Sequence, residues 1–282
     1  GSGPARGRLP RGGPVRMLFP RAVPGLPVTA TGAMVARELR YWWRDAKRRS
    51  NLITVGAMGL FVPLIVTAGG FVRFEGPDAE VSLDWTGSPV TLYLTTLFVG
   101  AFAASVLANQ FGFDGTAYSA HLVTHVPGRR ELASRAVAYS IYLVPALAVI
   151  GVVLAVVRGD AAAAPAAWGL LLAGYGSALA VSMVLSIFAA YPLPESANPF
   201  AVNTASGVAK SLLALVGLAA AYAVASPVLI LAVVVGEEVW PWVAVPVGLT
   251  YGAVAAGLGA RLAGDALDRR APEVLAAVTP RR

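Results

Sequence analysis

Six long apolar stretches, whose cores hold no Asp, Glu, Lys or Arg, constrain this chain more than any other feature. Each is about as long as the ~20 residues that an α-helix needs to cross a bilayer. The stretches are Leu52–Val72, Thr91–Ala108, Val137–Val157, Trp168–Ala189, Ser211–Val235 and Val239–Ala260. The pattern predicts an all-α integral membrane protein with six transmembrane helices.

The distribution of positive charge predicts the orientation of these helices. With the N-terminus inside, 20 of the 22 Lys and Arg residues fall in inner segments, and only Arg73 and Arg158 fall outside. The acidic residues divide into eight inside and seven outside. Lys and Arg, rather than carboxylates, set the orientation of membrane proteins. The sequence therefore predicts a multi-pass protein of the cell (plasma) membrane with both termini in the cytoplasm.

The composition agrees with that class and argues against others. Only 13% of the residues are charged, compared with about 25% in soluble proteins. The net charge of +7 does not indicate nucleic-acid binding, because the basic residues lie in inner loops where anionic lipid attracts them. The chain has no cysteine, so no disulfide framework or Cys-based metal site is expected.

The N-terminal segment, residues 1–32, is rich in Gly, Pro and Arg and has no apolar core of the length that a signal peptide requires. We expect a flexible linker there. Residues 33–50 follow with a helical pattern in which Val35, Leu39, Trp42 and Trp43 share one stripe and five basic residues, including Arg37, Arg44 and Arg48, lie opposite. This pattern is typical of a helix lying in the membrane interface.

The connection between the second and third spans is the most polar inner loop. A helix-compatible run, Thr116–Val126, lies between the breaks Asp114-Gly115 and Pro127-Gly128. We expect a short helix on the cytoplasmic face. The sixth span carries small residues at a spacing of four (Gly248, Gly252, Ala256 and Ala260), which permits close approach of another helix.

No catalytic, cofactor-binding or metal-binding motif is visible in the sequence. The six spans hold essentially no ionisable residue, which disfavours an ion pathway or an intramembrane enzyme. His121 and His125 are four residues apart and share a helix face, but no third metal ligand is evident. The chain also lacks a GxxxxGK[ST] nucleotide-binding loop. We therefore expect a protein that is not an enzyme by itself.

The order of these features resembles the ABC-2 family of ATP-binding-cassette exporter permeases, in particular actinobacterial multidrug and antibiotic exporters. The resemblance covers about residues 33–262. It rests on the basic helix ARELRYWWRDAKRR before the first span, the inner segment NQFGFDGTAYSAHLVTHVPGRRELASR and the connection AAYPLPESANPFAVNTASG. It implies a separate ATP-binding-cassette ATPase subunit as partner and a second six-span unit beside this one.

The resemblance also implies roles for particular segments. Residues 33–50 would form the elbow helix, with Arg37, Trp42, Trp43 and Arg44 at the membrane surface. The inner helix would couple to the ATPase through Asp114, Gly115, Tyr118, His121, Leu122, His125, Arg129 and Arg130. Residues 51–262 would form the six-span domain and residues 263–282 a cytoplasmic tail. With residues 1–32 as an interhalf linker, the chain is expected to be the C-terminal half of a longer permease; a homodimer of separate subunits is the alternative.

A different class of function shares the same topology. A non-transport membrane scaffold or a sensor subunit would also have six spans and a polar inner segment, but it would need no ATPase. An adjacent gene that encodes a GxxxxGK[ST] protein would favour the exporter. The cargo is not encoded in any pattern that we find, although membrane lipid is an expected neighbour throughout.

Thiol labelling tests the predicted topology. Because the chain has no cysteine, single sites can be introduced by Ser82→Cys, Ala162→Cys, Ser196→Cys and Ala276→Cys. We expect a membrane-impermeant thiol reagent to label the first two variants in intact cells and to spare the last two, because only the first two positions lie in outer loops. Labelling of the Ser196→Cys variant from outside would contradict the topology.

Overall fold

The computed structural model describes residues 23, 25–69, 72–75, 80–83, 88–193 and 207–280. The Pro-rich connection around Ser196 and most of the expected N-terminal linker lie outside these residues. The described helices are α1 (Ala30–Arg44), α2 (Ala46–Gly69), α3 (Pro89–Ser105), α4 (Gln110–Asp114), α5 (Ser119–Val123), α6 (Gly128–Arg158), α7 (Ala163–Phe188) and α8 (Gly207–Val278). Between α2 and α3, strands β1 (Val72–Glu75) and β2 (Glu80–Leu83) pair as an antiparallel hairpin.

The protein is a predominantly helical membrane protein. Five described helical segments are long and apolar enough to cross a membrane. The membrane class and the helical architecture predicted from the sequence are therefore confirmed at this level. The fifth segment lies in α8, which covers both of the last two stretches that the sequence separates.

Helix α8 is folded back on itself. Gly236 has φ 75° and ψ 176°, a conformation that is essentially restricted to glycine. The hydroxyl of Tyr251 donates a hydrogen bond to the carbonyl of Val224. In a straight helix these residues would be ~40 Å apart at 1.5 Å per residue. Residues 207–235 therefore form a first arm, and residues 237–278 form a second arm that returns beside it.

The order of contacts gives the relative direction of the helices. Helices α3 and α7 run parallel, because Leu97 lies beside Gly174 and the Ser182 hydroxyl donates to the carbonyl of Ala104. Helix α6 runs antiparallel to α7, as its paired positions show: Ala148 with Trp168, and Ser140 with Tyr175. Consecutive long helices thus alternate in direction.

The central helix α7 packs against the second arm of α8 through small residues. A Cβ atom added at Gly248 would lie 1.9 Å from the carbonyl oxygen of Gly169, and one added at Gly252 would lie 2.4 Å from that of Leu172. Further along, Gly259 meets Ala180, so the two helices run parallel. The predicted close approach at Gly248 and Gly252 is therefore present, and its partner helix is α7 of the same chain.

The end of α8 differs from the expected tail. The second arm continues as helix to Val278, and its Leu267, Val274 and Val278 side chains are buried. Asp268 accepts a hydrogen bond from the backbone N–H of Gly128 (2.6 Å) at the start of α6. A helix of 42 residues is ~63 Å long, about twice the ~30 Å hydrocarbon core. The extra length packs against the inner ends of the other helices.

The predicted helix over residues 33–50 is divided at Asp45. This residue has an extended backbone (φ −78°, ψ 121°) and ends α1. Its carboxylate accepts hydrogen bonds from the backbone N–H groups of Lys47 (2.8 Å) and Arg48 (3.3 Å), which is the geometry of a helix N-cap. The cap begins α2 immediately, so α1 and the first apolar helix are separate elements.

The contact between α7 and α8 predicts the effect of adding one methyl group. We expect Gly252→Ala to lower the free energy of unfolding by about 1–3 kcal/mol, because the added Cβ atom overpacks the interface. Gly257→Ala is the matched control on the same arm, where an added Cβ atom meets nothing within 4 Å. Thermal unfolding in detergent should show a lower midpoint for the first variant and an unchanged or higher midpoint for the control. Equal midpoints would contradict this packing.

Candidate functional site

Six charged side chains form a closed ring at the ends of four helices that the charge distribution predicts to be cytoplasmic. In order around the ring they are Arg37, Glu38, Arg48, Asp114, Arg135 and Glu131. Positive and negative charges alternate, so the ring has no net formal charge. We call this set the charge ring. It joins the consecutive helices α1 and α2 to α4 and α6, whose ring members lie at least 66 residues further along the chain.

The distances in the charge ring are those of close ion pairs. Arg48 lies 2.9 Å from Glu38 and 2.7 Å from Asp114. Arg135 bridges Asp114 and Glu131, with 2.6 Å to the latter. Arg37 closes the ring at 2.8 Å from Glu38 and 3.2 Å from Glu131. Each carboxylate in the ring therefore contacts two guanidinium groups.

Five of the six side chains of the charge ring are at most 7% exposed, whereas Arg37 is 24% exposed, and aromatic side chains pack against the ring. Glu131 is 1% exposed and Arg135 is 2% exposed. The guanidinium group of Arg48 lies 5.3 Å from the ring centroid of Phe113 and 5.6 Å from that of Trp42, and the guanidinium group of Arg135 lies 4.8 Å from that of Phe111. Such cation–π contacts offset part of the desolvation of the two cations.

The neighbouring cations keep the carboxylates of Asp114 and Glu131 ionised. Both acids lie outside the apolar spans predicted from the sequence. Burial alone raises the pKa of the Asp114 carboxyl, but Arg135 and Arg48 outweigh burial and hold that pKa below its ordinary value. The pKa of Glu131 is likewise lowered, because Arg135 and His121 outweigh its burial. Asp114 and Glu131 therefore stay ionised at neutral pH.

Residues 114–130, which we call the inner segment, are fixed to the charge ring by their buried side chains. Asp114 is a member of the ring, and Tyr118 is buried with its ring centroid 4.8 Å from that of Phe111. His121 contacts Arg37, and its Nδ1 lies 3.0 Å from an oxygen of Glu131. Leu122 packs against the core from a half-buried position. The predicted helix over residues 116–126 is shorter than expected, since a 3₁₀ turn at Gly115–Tyr118 precedes α5.

The opposite side of this segment is exposed. Helix α5 contains no buried residue, and Val123 is 78% exposed. His125, Arg129 and Arg130 are also exposed, and Arg129 pairs with Asp265 at 2.6 Å. We define the inner surface as the exposed residues of this segment, which are Thr116, Ala117, Ser119, Ala120, Val123, Thr124, His125, Pro127, Arg129 and Arg130.

The residues expected to contact an ATPase thus separate into two groups. Asp114, Tyr118 and, in part, His121 and Leu122 face inward and hold the segment in place. Gly115 has φ 53° and forms the turn before the 3₁₀ segment. His125, Arg129 and Arg130 lie on the inner surface, where a partner can reach them. Their role in coupling stays a prediction.

The residues expected at the membrane interface also fall into a buried group and an exposed group. Trp42 is buried against Tyr139, with 4.6 Å between ring centroids, whereas Trp43 is 69% exposed. The apolar face of α1 packs on α6, where the hydroxyl of Tyr142 donates to the carbonyl of Leu39. The protein itself therefore covers most of the apolar stripe that the sequence assigned to lipid.

A cleft of about 330 Å³ lies between the inner segment and the end of α8. Its walls include His121, Leu122, Glu131 and Asp268. Among the described residues, no group of three or more His, Cys, Asp or Glu side chains is arranged to hold a metal ion. The geometry supports a structural ring with an adjoining exposed surface.

The charge ring predicts a large difference between two Asp→Asn variants. Asp114→Asn leaves Arg48 and Arg135 without their shared carboxylate, which should lower the free energy of unfolding by about 3–5 kcal/mol. Asp265→Asn is the matched control, because its pair with Arg129 is 40% and 59% exposed and should contribute at most ~1 kcal/mol. Denaturation of both variants in detergent measures the difference. Similar losses for the two variants would show that the ring does not stabilise the fold.

Comparison with known proteins adds no relative. No family model, no curated protein and no solved structure matches this chain. The resemblance to ABC-2 permeases therefore rests on the quoted sequence segments alone. The charge ring and the inner surface are the features of the described residues from which a function can be inferred.

Proposed function

We propose that this chain is the membrane-spanning permease component of an ATP-driven exporter and that it is coupled to a separate nucleotide-binding subunit. The observation that carries the proposal is the inner surface, an exposed face on a segment whose opposite face is fixed to four helices. A surface of this kind can receive a displacement and pass it to the membrane helices.

The membrane placement follows from helix direction and charge. The fold-back at Gly236 divides α8 into two arms, and the long helices alternate in direction. Six crossings with both termini in the cytoplasm agree with these directions and with the 20-to-2 distribution of Lys and Arg. In this arrangement the charge ring and the inner surface lie at the cytoplasmic ends of the helices.

The charge ring would transmit motion from the inner surface. Asp114 is the first residue of the segment and pairs with Arg48 of α2 at 2.7 Å, whereas Glu131 follows the segment and pairs with Arg135 of α6 at 2.6 Å. Separating such buried pairs costs several kcal/mol. A partner that moves the segment would therefore move the inner ends of α2 and α6 with it rather than slide past them.

The energy source is expected in another polypeptide. The sequence has no GxxxxGK[ST] loop that could hold nucleotide phosphates. One six-helix unit is also small for enclosing a pathway, so we expect it to act beside a second six-span unit. That unit is either a fused half or a second copy of this chain. Apolar spans without buried charge suit an amphipathic or lipid-like cargo.

Charge placed on the inner surface tests the coupling contact. We expect Ala120→Asp and Val123→Asp to abolish co-purification of the ATPase subunit from native membranes, because charged residues are depleted from interface cores. Both positions are exposed, so the fold should be retained. The measurement is the molar ratio of ATPase subunit to permease and the ATP hydrolysis of the isolated complex.

Ala161→Asp provides the control, since Ala161 is exposed in the loop before α7 on the opposite side of the membrane helices. It should leave the ratio and the hydrolysis rate unchanged. Replacement of Tyr118 or Leu122 is a poorer test, because these side chains face inward. Variants at Ala120 and Val123 that retain the ATPase like wild type would refute the docking role. Purification without any nucleotide-binding protein would instead favour a scaffold or sensor.

A further inference from the structure

An apolar groove lies between α7 and the two arms of α8. It has a volume of about 530 Å³, within the range typical of ligand pockets. Ala180 and Leu185 of α7 form one wall, Ala220 and Val224 of the first arm form a second, and Ala255 belongs to the third. The only polar side-chain group in its lining is the hydroxyl of Tyr251, which donates to the carbonyl of Val224.

The groove opens toward the inner ends of the helices. The two arms of α8 touch at the Tyr251–Val224 hydrogen bond, and from there the groove extends along the second arm to Leu262. On the first arm, Leu212 and Leu215 are exposed beyond the groove. The arms are therefore in contact near the middle of the bundle and stand apart toward its inner end.

A cationic residue lies on the second arm at the level where the lining of the groove ends. Arg261 is exposed, is next to Leu262 and makes no ion pair with any other residue that the structure describes. An apolar channel that ends at a cation is complementary to a molecule with a hydrocarbon chain and an anionic head. Anionic phospholipids of the inner leaflet have this chemistry and are attracted by Lys and Arg at the membrane surface.

The groove is elongated, because its lining runs from Tyr251 to Leu262 along the second arm, ~16 Å at 1.5 Å per residue. A volume of about 530 Å³ in this shape accommodates a narrow apolar chain. We propose that this groove binds one acyl chain of an anionic phospholipid, with the phosphate of the headgroup at Arg261.

The site goes beyond the exporter proposal, because it requires only the membrane placement and not the ATPase. A bound lipid would fill the gap between the arms of α8 and so support the fold-back on the side where protein contacts are missing. Removal of the lipid should leave ATPase docking intact, since the inner surface lies on a different part of the molecule. Failure of either proposal is therefore distinguishable from failure of the other.

Native mass spectrometry tests the lipid site. The full chain is reconstituted with equal amounts of phosphatidylglycerol and phosphatidylcholine, extracted in mild detergent and analysed for retained lipid. We expect wild type to retain one phosphatidylglycerol molecule. Arg261→Gln should reduce the preference for phosphatidylglycerol about fivefold, the effect of one basic residue at a membrane surface. Arg269→Gln, an exposed position further along the same helix, should leave the preference unchanged.

A second pair of variants tests the groove itself. Ala255→Phe fills the groove and should reduce retention of both lipids at least tenfold, whereas Ala253→Phe, at an exposed position outside the lining, should not. Equal lipid retention in these two variants would overturn the site. Equal retention of phosphatidylglycerol and phosphatidylcholine by wild type would overturn the headgroup contact. If Ala255→Phe instead dissociated a dimer without changing lipid retention, a second copy of the chain would be the occupant and the proposal would fail.

Discussion

Buried ion pairing holds the inner end of this molecule together. The charge ring brings α1, α2, α4 and α6 to one point through six alternating charges, so no single helix can move there without breaking pairs. Burial of so many charges is favourable only when every one is paired. The inner segment begins at one ring member, Asp114, and ends before another, Glu131. Its position, and therefore the inner surface, depends on the integrity of the ring.

In the apolar spans, close packing of small residues takes the place of ion pairing. There the helices approach through small residues, as at Gly169 with Gly248 and Gly176 with Gly252. Lipid provides little hydrophobic drive for helices to associate, so close backbone packing has to supply the attraction. Helix α7 occupies the centre because it has such contacts with α3 on one side and with the second arm of α8 on the other. The bundle is thus fixed by packing within the membrane and by charge at its inner end.

The sequence predicted the helices well, because hydropathy and charge count report directly on the bilayer. It also separated the last two apolar stretches between Val235 and Val239, where the structure turns at Gly236. The sequence did not predict the charge ring. The helical pattern over residues 33–50 assigned Arg48 to a polar face, but the cap at Asp45 starts a new helix and resets the direction of the residues after it. The helical periodicity of α1 therefore does not predict in which direction the side chain of Arg48 points.

Other parts of the site were accessible in principle but ambiguous. Glu131 and Arg135 are four residues apart, a spacing that favours an ion pair on one helix face. Nothing in the sequence states that this pair is buried, or that Glu38 and Asp114 join it from other helices. Tyr118 and Leu122 likewise share a segment with Ala120 and Val123, and only the tertiary contacts show which of them face inward. Long-range pairing decides these outcomes, and a single sequence does not display it.

Site-specific photocrosslinking in native membranes tests the central claim, that the inner surface is the docking site for an ATPase. A photoreactive amino acid is placed at Ala120 and, as the control, at Ala161, and the captured proteins are identified by mass spectrometry. The account predicts that the probe at Ala120 captures a polypeptide that contains GxxxxGK[ST] and that the probe at Ala161 does not. Capture of that polypeptide only from Ala161, or of no nucleotide-binding protein from Ala120, would contradict it.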